Sequence, residues 1–401
     1  MSTLLSNVPA PVAGVRLGST SAGIRHPGRR DLTVIELAAG SRASAVFTRN
    51  RFRAAPVWVA ERHLAASAPR YLLINTGYAN AGTGARGEPD SLACCRALAE
   101  HCHCADAQVV PFSTGIIGEP LPVAPLVAGI PAACAELRED GWEEAAWAIH
   151  TTDTRPKQVS CQFELSGGPC TITGIAKGAG MIRPDMATML AFIATDAGLS
   201  DAALERALHH SVGLSFNRIS IDGDTSTNDA CLLAATSAGP AVADTGADLE
   251  RFQAALDAVC IDLARAIAAD GEGAERLIEI EVSAALSSVE AEQVAFTVAE
   301  SPLVKTALAA ADPNWGRVLA AVGRAGIEDL EIERVSLFFG NQLIAAAGGP
   351  SSGYDEAAAA AELAGPQVRI TIDLGRGEAS ATVWTCDLTA EYVRINAAYR
   401  S

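Results

Sequence analysis

Residues 189–194 read Met-Leu-Ala-Phe-Ile-Ala, six consecutive apolar residues between Thr188 and Thr195. A short apolar run bounded by polar residues is the pattern of a strand buried on both faces. Such a strand must be covered by layers, and the rest of the chain alternates strand-like with helix-like segments. The chain therefore reads as α/β with large sheets. Strand patterns are read at 32–37, 43–47, 57–59, 71–74, 108–112, 158–165 and 170–176, and later at 330–348, 366–374 and 378–386. Helical patterns are read over 90–104 with Asp90 or Ser91 as N-cap, 132–150, 201–212, 249–269, most of 301–325 and 355–363. Residues 278–300 mix strand and polar segments.

Composition narrows the function. The 401 residues are 49% hydrophobic, enough for a sizeable core, and carry a net charge of -17 with 5% aromatics. So acidic a chain repels phosphate backbones and offers few stacking surfaces, which argues against nucleic acid. The charge is uneven. Residues 1–187 hold 17 Lys+Arg against 16 Asp+Glu, and residues 188–401 hold 13 against 31. The N-terminus lacks a basic region and an apolar core, and the apolar stretch from Val123 to Cys134 is interrupted by Pro125, Gly129 and Pro131. These features predict no export signal, no membrane span and a cytoplasmic location. Ten cysteines without regular spacing read as reduced thiols. His101-Cys102-His103-Cys104, with Cys94 and Cys95 upstream, could ligate zinc by residue type. Four consecutive residues do not easily wrap one ion, so no metal site is expected. Asp222, Asp224 and Asp229 lack the spacing of a calcium loop and read as a structural loop.

The chemistry concentrates before the apolar run. Lys177-Gly-Ala-Gly-Met-Ile-Arg-Pro-Asp-Met-Ala-Thr leads through glycines and a proline to Thr188 at the mouth of the strand. It is no phosphate-binding loop, because the GxxxxGK[ST] order is missing. Were the chain cut before Thr188, its nitrogen would become an α-amine. With a pKa of about 8, that amine could act as general base for the adjacent hydroxyl. Ala187 is small and leaves the scissile carbonyl open. Most threonines at strand starts are simple β-formers, so spacing alone leaves both readings open.

Resemblance decides between them. Lys177-Gly-Ala-Gly-Met-Ile through Met186-Ala-Thr-Met-Leu resembles the self-cleaving threonine site of the ornithine acetyltransferases, the glutamate N-acetyltransferase family of arginine biosynthesis. Further matching blocks stand at Val46-Phe-Thr-Arg-Asn-Arg-Phe, Asn75-Thr-Gly-Tyr-Ala-Asn-Ala, Ser113-Thr-Gly-Ile-Ile-Gly-Glu-Pro, Thr151-Thr-Asp-Thr-Arg-Pro-Lys, Asn217 to Asp229, Asp270-Gly-Glu-Gly-Ala, Asp312-Pro-Asn-Trp-Gly-Arg and the C-terminal Trp384 to Ser401. The resemblance covers nearly the whole chain.

It implies a layered α/β sandwich of the ornithine acetyltransferase and self-processing aminopeptidase type, built jointly by an α chain (1–187) and a β chain (188–401). Two of each would form a heterotetramer. Thr188 would attack the Ala187 carbonyl to cut the chain, then carry acetyl from N2-acetylornithine to glutamate. Thr114 and Gly115 would form the oxyanion hole. Thr154, Lys177, Thr188, Glu272, Asn396 and Ser401 would bind substrate, with Lys177 meeting a carboxylate and Glu272 an ammonium. No cofactor is implied, and acetyl-CoA stands as a candidate second donor. The chain departs from the family pattern at Arg183-Pro184-Asp185, Tyr78, Gly82 and Glu275-Arg276. A relative with another acetyl acceptor and an uncleaved binding protein are the alternatives. The related aminopeptidases resemble a serine context instead.

Overall fold

The computed structural model describes residues 5–25, 28–183 and 189–398. The chain divides into two compact units: residues up to Asn217 with Thr225–Ile267, and Arg218–Asp224 with Ala268 onward.

The first unit contains strands β1 (Leu5–Ser6), β2 (Val15–Thr20), β3 (Leu32–Leu37), β4 (Arg42–Phe47), β5 (Tyr71–Tyr78), β6 (Val109–Ile116), β7 (Lys157–Leu165), β8 (Gly168–Lys177), β9 (Leu190–Thr195) and β10 (Ala230–Ala235). Its helices are α1 (Ala55–Ala66), α2 (Gly87–Cys102), α3 (Val123–Ala135), α4 (Trp142–Ala148), α5 (Asp201–Leu214) and α6 (Ala247–Ala269). One sheet runs β1-β7-β8-β9-β10-β4 and the other β2-β3-β5-β6. Strand β9 is the apolar run and is buried at every position. It pairs antiparallel with β8 and parallel with β10.

The two sheets share one core. Leu17, Ile35, Leu72, Ile74 and Phe112 from one meet Ile175, Leu190, Phe192 and Leu232 from the other. Phe112 and Phe192 touch edge to face, 4.9 Å between centroids. Each large apolar side chain in that layer contributes about 1.5–3 kcal/mol by leaving water. Helices α2 and α3 cover the outer face of the smaller sheet through Cys94, Cys95, Leu98, Leu126 and Ile130. Helix α6 covers the other: a Cβ on Gly174 of β8 would lie 2.9 Å from Leu263. The expected layered α/β sandwich is thus present in this unit.

The second unit has strands β11 (Leu277–Ala285), β12 (Ser336–Phe339), β13 (Gln342–Ala346), β14 (Gly349–Pro350), β15 (Gln367–Asp373) and β16 (Ala379–Cys386). They order as β14-β13-β12-β15-β11-β16. Helices α7 (Ser288–Ala299), α8 (Pro302–Ala309), α9 (Trp315–Gly323), α10 (Glu356–Leu363) and α11 (Ala390–Ala397) accompany them. The core joins Ile278, Ile280 and Val282 of β11 with Val294 and Val298 of α7 and Val318 and Val322 of α9.

Four local expectations need correction. Residues 57–59 lie in helix α1, not a strand. Val57 and Val59 are buried and Trp58 is exposed, which fits either period, but burial continues at Ala60 and His63 and Pro56 starts the helix. The 132–150 helix is two helices with a break at 136–141. There Leu17 and Arg138 exchange backbone hydrogen bonds (2.9 and 3.1 Å), and a Cβ on Gly141 would sit 2.3 Å from the Leu17 oxygen. Helix α2 begins at Gly87, so Asp90 lies inside its first turn, where its charge suits the helix dipole, rather than capping it. Residues 288–299 form helix α7, capped by Ser287, whose hydroxyl accepts from the Glu290 N–H at 3.1 Å.

Candidate active site

Thr114 and Gly115 end β6, which runs parallel to β5. Alternation along β6 puts Phe112 into the core, and the pairing is irregular at Gly77 and Tyr78 of β5. Gly115 has φ +135° and Gly77 φ +101°. A Cβ on Gly115 would lie 2.2 Å from the Gly77 carbonyl carbon and 2.5 Å from the Tyr78 nitrogen. Only glycine permits this approach of β6 to β5 beside Thr114. Thr114 is nearly buried, and its Oγ1 lies 3.3 Å from Lys177 Nζ.

Lys177 ends β8 and is 4% exposed, so it is a buried ammonium rather than half of a surface ion pair. It donates to Thr151 Oγ1 at 2.7 Å. Asp153 Oδ2 stands 3.9 Å from it, while Asp153 Oδ1 takes Lys157 Nζ at 2.5 Å and the Gly178 N–H at 2.6 Å. Burial alone would push the Asp153 carboxyl up. The ammonium groups of Lys177 and Lys157 outweigh it and hold the carboxyl well below the usual range. Lys177 thus stands buried beside a carboxyl held in its charged form. Thr154, one residue past Asp153, is exposed.

On the approach to β10 stand Asn228, to which the sequence reading gives no role, and Asp229, which it reads only as part of a structural loop. Asn228 donates to the Ala79 carbonyl (2.7 Å) and the Ser113 carbonyl (2.9 Å), tying the end of β6 to the segment after β5. Asp229 is buried, and its Oδ1 accepts the Met189 N–H at 3.0 Å. Thr114, Lys177, Met189, Leu190, Asn228 and Asp229 line one small cavity. The Asn-Asp pair abutting an apolar strand was the available signal, since a carboxyl next to such a run needs a buried partner.

In the second unit Glu272 sits in the loop before β11, 8% exposed. Its Oε2 accepts from Asn396 Nδ2 of α11 at 2.8 Å. Gly273, φ +72°, lets α11 close on this loop: a Cβ there would be 2.6 Å from the Tyr392 nitrogen. Asp387 Oδ1 holds the Glu275 and Arg276 N–H groups at 2.9 and 3.1 Å, so the departure at those positions keeps its backbone anchored. Asp222 belongs to the same unit and accepts from the Tyr392 hydroxyl at 3.3 Å.

Ala187, Thr188 and Ser401 lie outside the described residues, as do Pro184 and Asp185. Among the described residues no three His, Cys, Asp or Glu side chains gather to hold a metal ion. All ten cysteines carry free thiols, and burial pushes Cys94 up to about 12. No helix among the described residues is long and apolar enough to cross a membrane.

The ArgJ family model matches residues 16–401. A protein of Methylococcus capsulatus named arginine biosynthesis bifunctional protein ArgJ is 53% identical over 393 residues, 98% of this chain and 96% of that protein. One of the same name from Pseudomonas fluorescens is 49% identical over 394 residues, 98% of this chain and 97% of the other. A crystal structure of the protein argJ from Bacillus halodurans is 40% identical and covers 50% of this chain and 95% of its own, with a TM-score of 0.48. The motifs around Thr114, Lys177 and Glu272 thus stand in a chain that belongs to the ArgJ family.

Proposed function

We propose that this protein is an acetyltransferase of arginine biosynthesis that moves acetyl from N2-acetylornithine to glutamate through an ester on Thr188. Family membership and the buried pairing of Thr114 and Lys177 beside Met189 and Leu190 at the start of β9 carry this reading.

The chain first processes itself. Thr188 Oγ attacks the Ala187 carbonyl carbon, the peptide becomes an ester, and water hydrolyses it. This frees the Ala187 carboxylate and the Thr188 α-amine, giving chains 1–187 and 188–401. In turnover the amine takes the hydroxyl proton, and Oγ attacks the acetyl carbonyl of N2-acetylornithine. The Gly115 N–H and Thr114 hydroxyl stabilise the oxyanion. Its collapse expels ornithine, whose amine takes the proton back. The glutamate amine then attacks the ester and leaves as N-acetylglutamate. Lys177 and Thr154 meet the substrates' carboxylates. Glu272, Asn396 and Ser401 take the ornithine side chain and its ammonium. The word bifunctional in the relatives' names supports a second activity, and acetyl-CoA as an alternative donor is the one we propose. No cofactor takes part in these steps. The working assembly in this reading is two α and two β chains.

The sheet order supports retention of both pieces. A cut at 187–188 would leave β9 and β10 of one piece between β8 and β4 of the other, hydrogen-bonded on both sides. Denaturing electrophoresis should give two bands of roughly half length that co-purify. Thr188→Ala should leave one band and abolish transfer. A single full-length band from active protein, or transfer retained in Thr188→Ala, refutes the mechanism. Assays with N2-acetylornithine and acetyl-CoA as separate donors decide the second activity.

A further inference from the structure

A second, larger depression lies in the first unit between the end of β4 and α1. It is a groove of about 610 Å³ lined by Phe47, Thr48, Asn50, Arg51, Arg53 and Trp58. Arg49 and Glu61 line it as well, so three guanidinium groups meet one carboxylate in a chain whose net charge is -17. The loop that carries the arginines is fixed by its own polar groups. Thr48 Oγ1 donates to the Ser226 carbonyl at 2.7 Å and accepts the Asn50 N–H at 3.1 Å. Asn50 Nδ2 donates to the Thr225 carbonyl at 2.8 Å, and its Oδ1 accepts the Phe52 N–H at 2.8 Å. Arg53 is mostly buried: it pairs with Glu61, and its guanidinium lies over the Trp58 ring, 4.4 Å from the centroid. Trp58 is itself 46% exposed. Arg51 is exposed and makes no hydrogen bond or ion pair among the described residues.

We propose that this groove binds the diphosphate of a coenzyme A thioester. The planar fork of a guanidinium matches phosphate oxygens two at a time, and a loop already held in place loses little freedom on binding. A polyanion approaching so acidic a chain needs a local positive surface, and these arginines supply one. The half-exposed indole beside them offers a face to an apolar or aromatic part of the same ligand. The volume lies within the range of about 300–1,000 Å³ usual for small-molecule sites. The groove is also close to the cavity described above. Phe47 pairs with Ala230, Ala230 pairs with Leu190, and Leu190 lines that cavity with Thr114 and Lys177. Two strand spacings come to about 10 Å, and an extended pantetheine arm spans more than that. N2-acetylornithine carries no phosphate and has no use for the groove. The donor role of the thioester rests on the second activity proposed above; the phosphate affinity of the groove does not.

Isothermal titration of the full-length protein with coenzyme A, pantetheine and pyrophosphate tests this. Coenzyme A should bind, pantetheine, which lacks the phosphates, should bind at least about tenfold more weakly, and pyrophosphate should compete with coenzyme A. Added salt should weaken coenzyme A binding. Arg51→Glu should weaken it about tenfold or more, and Arg53→Ala should act the same way, with circular dichroism confirming that each variant is folded. The KM for acetyl-CoA should rise about tenfold in both variants, with a smaller change for N2-acetylornithine. Three results each overturn the site: wild-type protein that binds neither coenzyme A nor pyrophosphate, pantetheine bound as tightly as coenzyme A, or coenzyme A binding unchanged in the folded variants. The two readings fail separately. Wild-type protein that binds coenzyme A through Arg51 but transfers no acetyl from acetyl-CoA keeps the groove and removes the second donor. Transfer from acetyl-CoA with a wild-type KM in both variants keeps the donor and overturns the groove.

Discussion

Gly115→Ala is the sharpest test of the oxyanion geometry. The added Cβ would stand 2.2 Å from the Gly77 carbonyl carbon and 2.5 Å from its oxygen, where ordinary contact begins near 3.4 Å. Strands β5 and β6 would have to part by more than an ångström beside Thr114 and Gly115, the proposed oxyanion donors. The backbone, at φ +135°, adds strain of about 1–2 kcal/mol for a residue with a Cβ. A shift of about 1 Å in a positioning group costs roughly 100-fold in rate, and loss of one oxyanion donor costs about 100- to 1,000-fold in kcat. Acetyl transfer from N2-acetylornithine to glutamate should therefore fall by about two to three orders of magnitude, mostly in kcat. Gly118→Ala is the control. Its φ is +89°, but no atom lies within 4 Å of the added Cβ, so it carries the backbone strain without the clash. It should lower the melting temperature and leave kcat within about threefold. If Gly115→Ala also keeps kcat within about threefold, the close approach does not serve catalysis and the oxyanion assignment is wrong.

Asp153→Ala removes a carboxylate shared by two lysines, with Asp153 and Lys157 side chains fully buried. It should cost about 3–5 kcal/mol in urea unfolding, and a loss below about 1 kcal/mol would show that the pair is not buried as described. The same carboxyl is depressed in the folded protein, so its contribution is full above the unfolded-state value of about 3.9 and fades as pH falls toward the folded value. The gap in melting temperature between wild type and Asp153→Asn should narrow on acidification below about pH 4; a constant gap contradicts this. Glu272→Gln should raise KM for N2-acetylornithine about tenfold, with a smaller change for glutamate. Asn396→Ala, which frees Glu272 Oε2, should move KM the same way by less. Equal effects on both substrates would remove Glu272 from ammonium recognition.

Much of the architecture was legible locally. Period-two and fully apolar runs located β3, β7, β8, β9, β15 and β16. Failures came where a short pattern fits two periods. Val57-Trp-Val is satisfied by a strand or a helix, and burial farther along at His63, with its ring nitrogen 2.6 Å from the Val109 carbonyl oxygen, decides for the helix. At 288–299 the Ser287-x-x-Glu290 capping signal outweighs the apparent strand character.

At the candidate site the sequence by itself determined the residue types: Thr114-Gly115, Lys177, the threonine before an apolar strand, and the family these motifs mark. A motif is contiguous, so its chemistry survives being read along a line. Only the tertiary structure decided that Lys177 is buried over Asp153, that Thr114 meets it across 63 residues, and that Asp229 reaches back 40 residues to hold Met189. Those contacts depend on which strands become neighbours. Neighbour choice is a property of the whole core, settled by the burial of β9 between β8 and β10, and no window of sequence contains it.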